Sequence, residues 1–231
     1  MKSSLLPKID IHYVGHSSFI LKFDNGITIL TDYGQSNAYG LDSPIYELDH
    51  FQPNITTYSH HHVDHDRGRV FEGTKVISGK NLEIEGITLT SIPVTENSEG
   101  DNYGYLIDYK GCKIYHSGDS QGDIVRIEEE EIRQRLEQQL PDRIDLLLVA
   151  IGWTKDIISH AEAYVDFLHP LRVIPMHYWA ESEKAGFFTY LKGRGKKYHI
   201  TEIGGSRYIL NAFPSHQSIE VISLTAGPYK G

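Results

Sequence analysis

Four histidines and one carboxylate fall within six residues at His60-His61-His62-Val63-Asp64-His65. Imidazole and carboxylate at this density are ligands for zinc, manganese or iron. The preceding Asn54 to Tyr58 is β-branched and aromatic, which predicts a strand, and Arg67-Gly68-Arg69 downstream reads as a loop. The cluster then lies where a rigid strand hands side chains to a loop. Side chains two apart in an extended chain face the same side. His60 and His62 can therefore grip one ion, while Asp64 and His65 turn the corner towards a second. His61 points the other way, to packing or surface. A terminal affinity tag or a solvated polar loop is the bland alternative, against which stand the internal position and the Asp64-His65 continuation.

Two further apolar segments end in metal-competent side chains. One closes on His116-Ser117-Gly118-Asp119-Ser120, the other on Val173-Ile174-Pro175-Met176-His177. Taken singly, an Asp after Ser-Gly is a turn residue and a His after Met is a satisfied, partly buried side chain. Together with the histidine cluster they form a consistent ligand set.

The elements that must position these residues are legible in outline. Ile9 to Tyr13 and Ser18 to Phe23 alternate as strands, the second with Phe19, Leu21 and Phe23 on one face. Asp24-Asn25-Gly26 is a hairpin turn leading to a strand over Ile27 to Leu30. Residues 35 to 53 form a long aperiodic connection, either functional or a cover for the sheet. Lys75 to Ile77 is a short strand, and hairpins follow over residues 82–92 and 103–115. Asp123 is placed to cap a helix running to about Leu140, with Ile132, Leu136 and Leu140 as its buried stripe. Asp145 to Ala150 is a strand covered on both faces. His160 to Leu168 forms an amphipathic helix and residues 187–191 a helical segment. Strands follow at 198–203, 207–210 and 220–224. Hairpins first, then strands alternating with helices, predict a layered α/β (α+β) domain with mixed sheets.

A chain of 231 residues suits one such domain over 1–231 and can bury a sizeable core. A net charge of −9 argues against broad electrostatic binding to nucleic acid or anionic membrane. No run approaches the roughly 18 apolar residues that span a bilayer. Cys112 is the one cysteine, so no internal disulfide forms, and it reads as a small buried hydrophobe. With only Leu5-Leu6 before Pro7 there is no signal-peptide core, and the expected location is cytoplasmic.

His60-x-His62-x-Asp64-His65, the Ile114 to Ser120 segment and the Val173 to Tyr178 segment resemble the metallo-β-lactamase-fold hydrolase superfamily. The opening Tyr13-Val14-Gly15-His16-Ser17-Ser18-Phe19 is similar to its UPF0173-type and ascorbate-phosphate-lactonase-like branch. The resemblance implies a four-layer αββα sandwich with a binuclear site at one edge. His60 and His62 would hold the first ion and Asp64, His65 and His177 the second, with Asp119 bridging. It implies Zn2+, one or two ions, with Mn2+ or Fe as alternatives.

One departure stands out. Family members with a complete first site usually present a third histidine after the strand equivalent to Thr88 to Ile92. Here the stretch is Pro93-Val94-Thr95-Glu96-Asn97-Ser98-Glu99. Glu96, Asn97, His116 or a water are the alternatives for that place. His16 is either near the metals or a histidine bonded in a turn, and Asp32 is expected behind the ligands.

The expected activity is hydrolysis of a phosphodiester, lactone or other ester by metal-activated water, with Asp64 orienting the nucleophile or moving its proton. Tyr178 and Arg67 are expected substrate contacts. A small molecule is the expected partner, with neither membrane nor a strong nucleic-acid signal, and a homo-oligomer is compatible. A non-hydrolytic metal-binding ligand sensor is the alternative, supported by the missing histidine. Di-iron redox chemistry is disfavoured by the short chain and the lack of a flavin domain.

Overall fold

In the computed structural model, residues 6–42, 44–96, 101–152 and 156–230 are described. The chain opens with β1 (Ile9–Gly15), β2 (Ser18–Phe23) and β3 (Thr28–Thr31), a meander whose first turn holds His16. β4 (Ile55–Thr57) and β5 (Lys75–Ile77) add in parallel to β3, and the short helix α1 (Val63–Asp66) follows β4. A second sheet is built from β6 (Leu82–Ile84), β7 (Ile87–Pro93), β8 (Tyr103–Tyr109), β9 (Cys112–His116), β10 (Leu146–Ala150), β11 (Arg172–Met176) and β12 (Tyr198–Glu202). β13 (Arg207–Leu210) returns to pair with β1, and β14 (Ile219–Ser223) inserts between β11 and β12. The orders are β13-β1-β2-β3-β4-β5 and β12-β14-β11-β10-β9-β8-β7-β6.

Alternation along the strands divides the apolar residues between two cores. Ile9, Ile11, Tyr13, Phe19, Leu21 and Phe23 face the second sheet and pack with Leu89, Ile107 and Ile114 in the main core. Val14, Ile20 and Leu30 face outwards and are covered by Leu41, Ile45, Leu48 and Phe51. The long connection after β3 is thus the outer layer over the first sheet. Helices α2 (Gln121–Val125), α3 (Glu130–Gln139), α4 (Ile157–Leu168) and α5 (Glu181–Lys192) belong to the second half of the chain. The fold is the expected layered αββα sandwich. All five residues of β10 are buried, as its unbroken apolar run required.

One element differs from the sequence expectation. The helix foreseen from Asp123 to Leu140 is two helices, and Asp123 does not cap either. It is fully buried inside α2 and pairs at 2.5 Å with Arg135 of α3. The chain turns at Arg126, whose guanidinium grips Glu129 at 2.6 and 3.0 Å. α3 then starts on Glu130 and Glu131, negative charges placed at its positive end. The Ile132 and Leu136 stripe is buried as foreseen.

Parallel β3 and β4 in one sheet and parallel β9, β10 and β11 in the other send their C-terminal ends to a common rim. Side chains that follow those strands can therefore converge, although they are far apart in sequence.

Candidate metal centre

Two clusters of ligand atoms form at that rim. His16, Asp64, His65 and His177 make one; His60, His62, Glu96 and Asp119 make the other. Within each, the ligand atoms lie within 4.8 Å of one another.

Each residue is placed by a nameable local cause. His60 and His62 follow β4, and the His62 carbonyl accepts the amides of His65 and Asp66 at 3.0 and 2.9 Å, winding α1. That turn swings Asp64 and His65 inwards. Gly34 lies under it: a Cβ there would sit 1.9 Å from the Asp64 carbonyl oxygen, so only glycine allows the approach. Glu96 follows β7; the Thr95 carbonyl accepts the Asp123 amide at 3.3 Å, and Arg135 donates to the Pro93 carbonyl at 2.8 Å. Asp119 follows β9 with its carbonyl held by the buried Asn102 amide at 2.7 Å. The two sheets are tied by the His177 amide donating to the His16 carbonyl at 3.0 Å. Among the described residues eight non-glycines have positive φ. Three of them belong here, His16 at 52°, Asp32 at 37° and His177 at 52°. Strained backbone of this kind persists where surrounding structure over-determines it, commonly at functional sites.

A second ring of groups orients the imidazoles. His65 Nδ1 donates to Asp32 Oδ2 at 3.0 Å, leaving Nε2 directed into the cluster. Asp32 also accepts the Ser59 amide at 2.7 Å. Ser59 Oγ lies 2.9 Å from His60 Nδ1. The Gln121 amide lies 2.9 Å from His177 Nδ1; with its oxygen turned to the ring it accepts the Nδ1 proton and leaves Nε2 as a lone-pair donor.

Asp64 Oδ1, His65 Nε2, Asp119 Oδ1 and His177 Nε2 are buried and have no hydrogen-bond partner. Buried polar atoms without partners carry a desolvation cost of roughly 1–3 kcal/mol each, more if charged, and here they are gathered in one place. Donors about 2.0–2.2 Å from one ion in a tetrahedron lie roughly 3.4 Å apart. The spacings are close to that. His65 Nε2 is 3.6 Å from Asp64 Oδ2, and His177 Nε2 is 3.8 Å from the same oxygen and 3.6 Å from Asp119 Oδ2. His60 Nε2 is 3.8 Å from Glu96 Oε2 and 3.9 Å from Asp119 Oδ2, and His62 Nδ1 is 3.8 Å from Glu96 Oε1. The residues present fit divalent cations.

Protonation supports the same conclusion. Burial, then the neighbouring His65, lowers His60 to about 3. Burial, with His16 and His65 nearby, holds His177 well below the usual imidazole range. Neutral imidazoles are the form a metal needs. Asp64 is held well below the usual carboxylate range: burial opposes this, but the His16 hydrogen bond at 3.0 Å and the surrounding imidazoles prevail. His65 is different. Burial works against its charged form, yet the Asp32 hydrogen bond and the charges of Asp32, Asp64 and Asp119 raise it to about 9. Burial pushes Asp119 well above its usual value. In the metal-free chain the cluster thus retains protons that a cation would displace.

Asp119 lies between the two clusters, and His16, left open by the sequence, stands in the second. His116 is in neither. Its Nε2 is 2.9 Å from the Ser17 carbonyl and its Nδ1 accepts the Gly118 amide at 3.1 Å, so both ring nitrogens are committed. Asn97, Ser98 and Glu99 lie outside the described residues. His61 does turn away, with its ring exposed and 2.6 Å from Asp66.

A cavity of about 270 Å³ opens onto the clusters, lined by Tyr39, His62, Asp64, Glu96, Asp119, Gln121, His177 and Trp179. A larger cavity of about 580 Å³ lies along β1 and β13 and shares no lining residue with it. The two expected substrate contacts are not in the smaller cavity. Tyr178 faces inwards, its ring fully buried near Tyr13. Arg67 is solvent-exposed and pairs with Asp66 at 3.3 Å. Trp179, Tyr39 and Gln121 take the lining positions instead. Gln121 follows directly on the Asp119-Ser120 motif and Trp179 lies two residues after His177, proximity that is the only sequence signal for them.

A family model described as a β-lactamase superfamily domain matches residues 10–177. A UPF0173 metal-dependent hydrolase from Methanosarcina mazei is 25% identical over 210 residues, 75% of this chain and 84% of that one. Its Pyrococcus horikoshii counterpart is 25% identical over 206 residues, 74% and 84% of the two chains. A solved metallo-β-lactamase superfamily structure from Thermotoga maritima has a TM-score of 0.62 at 23% identity, over 93% of this chain and 98% of that one. A metallo hydrolase from Ignicoccus hospitalis gives 0.58 at 20% identity, over 81% and 92%. With the sandwich, the rim site and these matches together, the chain belongs to the metallo-β-lactamase superfamily, in its UPF0173 branch of metal-dependent hydrolases.

Proposed function

We propose that the protein hydrolyses an ester, lactone or phosphodiester bond of a small molecule at a binuclear metal centre. The observation that carries this reading is the convergence of four buried, partnerless ligand atoms, three of them on residues that line a cavity of about 270 Å³. His60, His62, Glu96 and Asp119 would hold the first ion. Asp64, His65 and His177 would hold the second, with Asp119 shared. Divalent ions there supply Lewis acidity and make water nucleophilic near neutral pH. Two imidazoles with two carboxylates form a harder donor set than three imidazoles, so the first position accepts Mn2+ or Fe2+ as readily as Zn2+.

The chain's own groups do the rest. The His16 hydrogen bond keeps Asp64 ionised, with Oδ1 left as an acceptor able to orient the nucleophile. A carboxylate held so low is a weak base, so orientation is its contribution more than proton removal. Asp32, Ser59 and Gln121 fix the ring orientations of His65, His60 and His177. Tyr39 and Trp179 line the same cavity beside these groups.

Metal analysis combined with a panel of phosphodiesters, lactones and simple esters tests the proposal. Protein carrying two ions should cleave at least one class, and Asp119→Ala should abolish turnover. Two-ion protein that cleaves none, while Asp119→Ala still alters ligand binding, would establish a binding protein instead.

A further inference from the structure

We infer that Tyr39 and Trp179 form a recognition wall for a neutral, flat ring adjoining the scissile carbonyl, making an aryl ester or aryl-fused lactone the preferred substrate class. This rests on the hydrolase reading above and narrows it.

Tyr39 is the most exposed large aromatic side chain among the described residues, at 62%. Its backbone is left-handed, with φ at 49°, between Asn37 at 68° and Gly40 at 78°. A bulky residue in that region is strained, and an exposed ring gains nothing from core packing. Its surroundings are not loose. Ala38 and Leu41, on either side, are buried in the outer core. The Gln35 amide donates to the Val63 carbonyl at 2.8 Å, tying the segment to the helix that bears Asp64 and His65. The Asp42 amide donates to the Trp179 carbonyl at 3.0 Å. The turn is therefore anchored on both flanks while its one aromatic side chain is thrown into the cavity mouth.

Trp179 is equally fixed, its amide donating to Glu183 Oε2 at 2.6 Å. Its ring lies 6.1 Å from the His16 ring and 6.2 Å from that of Tyr39, at 68° and 57° to them. Three rings thus run from the second ligand cluster to the entrance. The remaining lining residues, His62, Asp64, Glu96, Asp119, Gln121 and His177, are polar. The cavity therefore pairs an aromatic side with a metal-binding side. Inclined rings at these spacings accept another ring edge-to-face or offset, a contact worth up to about ten-fold in affinity. Among the described lining residues there is no lysine or arginine, so an uncharged ring is favoured over an anionic group.

The test compares kcat/KM for dihydrocoumarin with that for δ-valerolactone in wild type, Tyr39→Ala, Trp179→Ala and Trp179→Phe. Both are six-membered lactones; one carries a fused aryl ring. Their intrinsic reactivities differ, but that difference cancels between variants. The ratio should fall about ten-fold in each alanine variant, chiefly through KM, and recover in Trp179→Phe. Calorimetric binding of benzoate against acetate to the metal-loaded protein gives a readout independent of turnover. Benzoate should bind about ten-fold tighter, and the alanine variants should lose that advantage. Turnover of both lactones with a variant-insensitive ratio would overturn the aromatic wall and leave the hydrolase intact. No lactone turnover together with selective, variant-sensitive benzoate binding would sustain the wall and overturn ester hydrolysis. Neither turnover nor benzoate preference would overturn both.

Discussion

Asp32→Asn probes the support beneath the second ligand cluster. Asp32 is fully buried and binds two partners, the Ser59 amide at 2.7 Å and His65 Nδ1 at 3.0 Å. Asparagine is nearly isosteric. Its oxygen can keep the Ser59 bond, but its NH2 then faces an N–H of His65. To avoid two opposed donors, His65 must move its proton to Nε2, the atom directed into the cluster. Losing a hydrogen bond to a charged group costs about 1.5–3 kcal/mol. Loss of such a support typically weakens metal affinity about 10- to 100-fold. That range corresponds to about 1.4–2.7 kcal/mol, so the two routes agree. The first cluster should be much less affected, because His60 leans on Ser59 Oγ. Competition against a chromogenic chelator should show one of two sites weakened. Two unchanged dissociation constants would refute the reasoning. The metal-free protein offers a second check with a definite sign. His65 is raised to about 9 in the fold, above its ordinary 6.5. Its contribution is present in full below pH 6.5 and is lost as pH rises through 9. The stability deficit of Asp32→Asn should accordingly be largest below pH 6.5 and shrink above 9. A deficit that grows with pH across this window would contradict the assignment.

Glu96→Ala should reduce metal stoichiometry from two ions to one at micromolar metal, while Glu96→His should restore two and shift preference towards zinc; mass spectrometry under native conditions reads both. Gly34→Ala forces a Cβ against the Asp64 carbonyl, where 1.9 Å is available. It should cost about 1–3 kcal/mol in denaturant unfolding and lower metal affinity as α1 moves. Arg135→Ala strands the buried Asp123 and frees the Pro93 carbonyl, lowering stability by about 1–3 kcal/mol. Adding Asp123→Asn should return part of that loss, and strict additivity in the double-mutant cycle would show that the pair is uncoupled.

Much of this molecule was legible before its structure. Alternation and turn chemistry located most strands to within a residue or two, because a two-residue period and Asn-Gly or Lys-Gly turns are local properties. The long helix was misplaced for a tertiary reason: Asp123 is committed to Arg135 across a turn, and no local signal distinguishes that from a cap. Tyr178 adjoins His177 in sequence, but neighbouring side chains of an extended segment face opposite sides, and Tyr178 packs into the core beside Tyr13.

The dense histidine segment on its own determined that this chain has metal-competent chemistry, and the motif order determined the family. Neither could choose among the candidates for the place where a histidine is absent; the packing brings Glu96, 31 residues beyond His65, beside His60 and His62. Nor could they bring His16 beside His177, an approach made by one backbone hydrogen bond between the two sheets. Ligand type is a property of residues and is written in the chain. Ligand convergence is a property of strand ends meeting at a rim, and only the packing of the two sheets decides it.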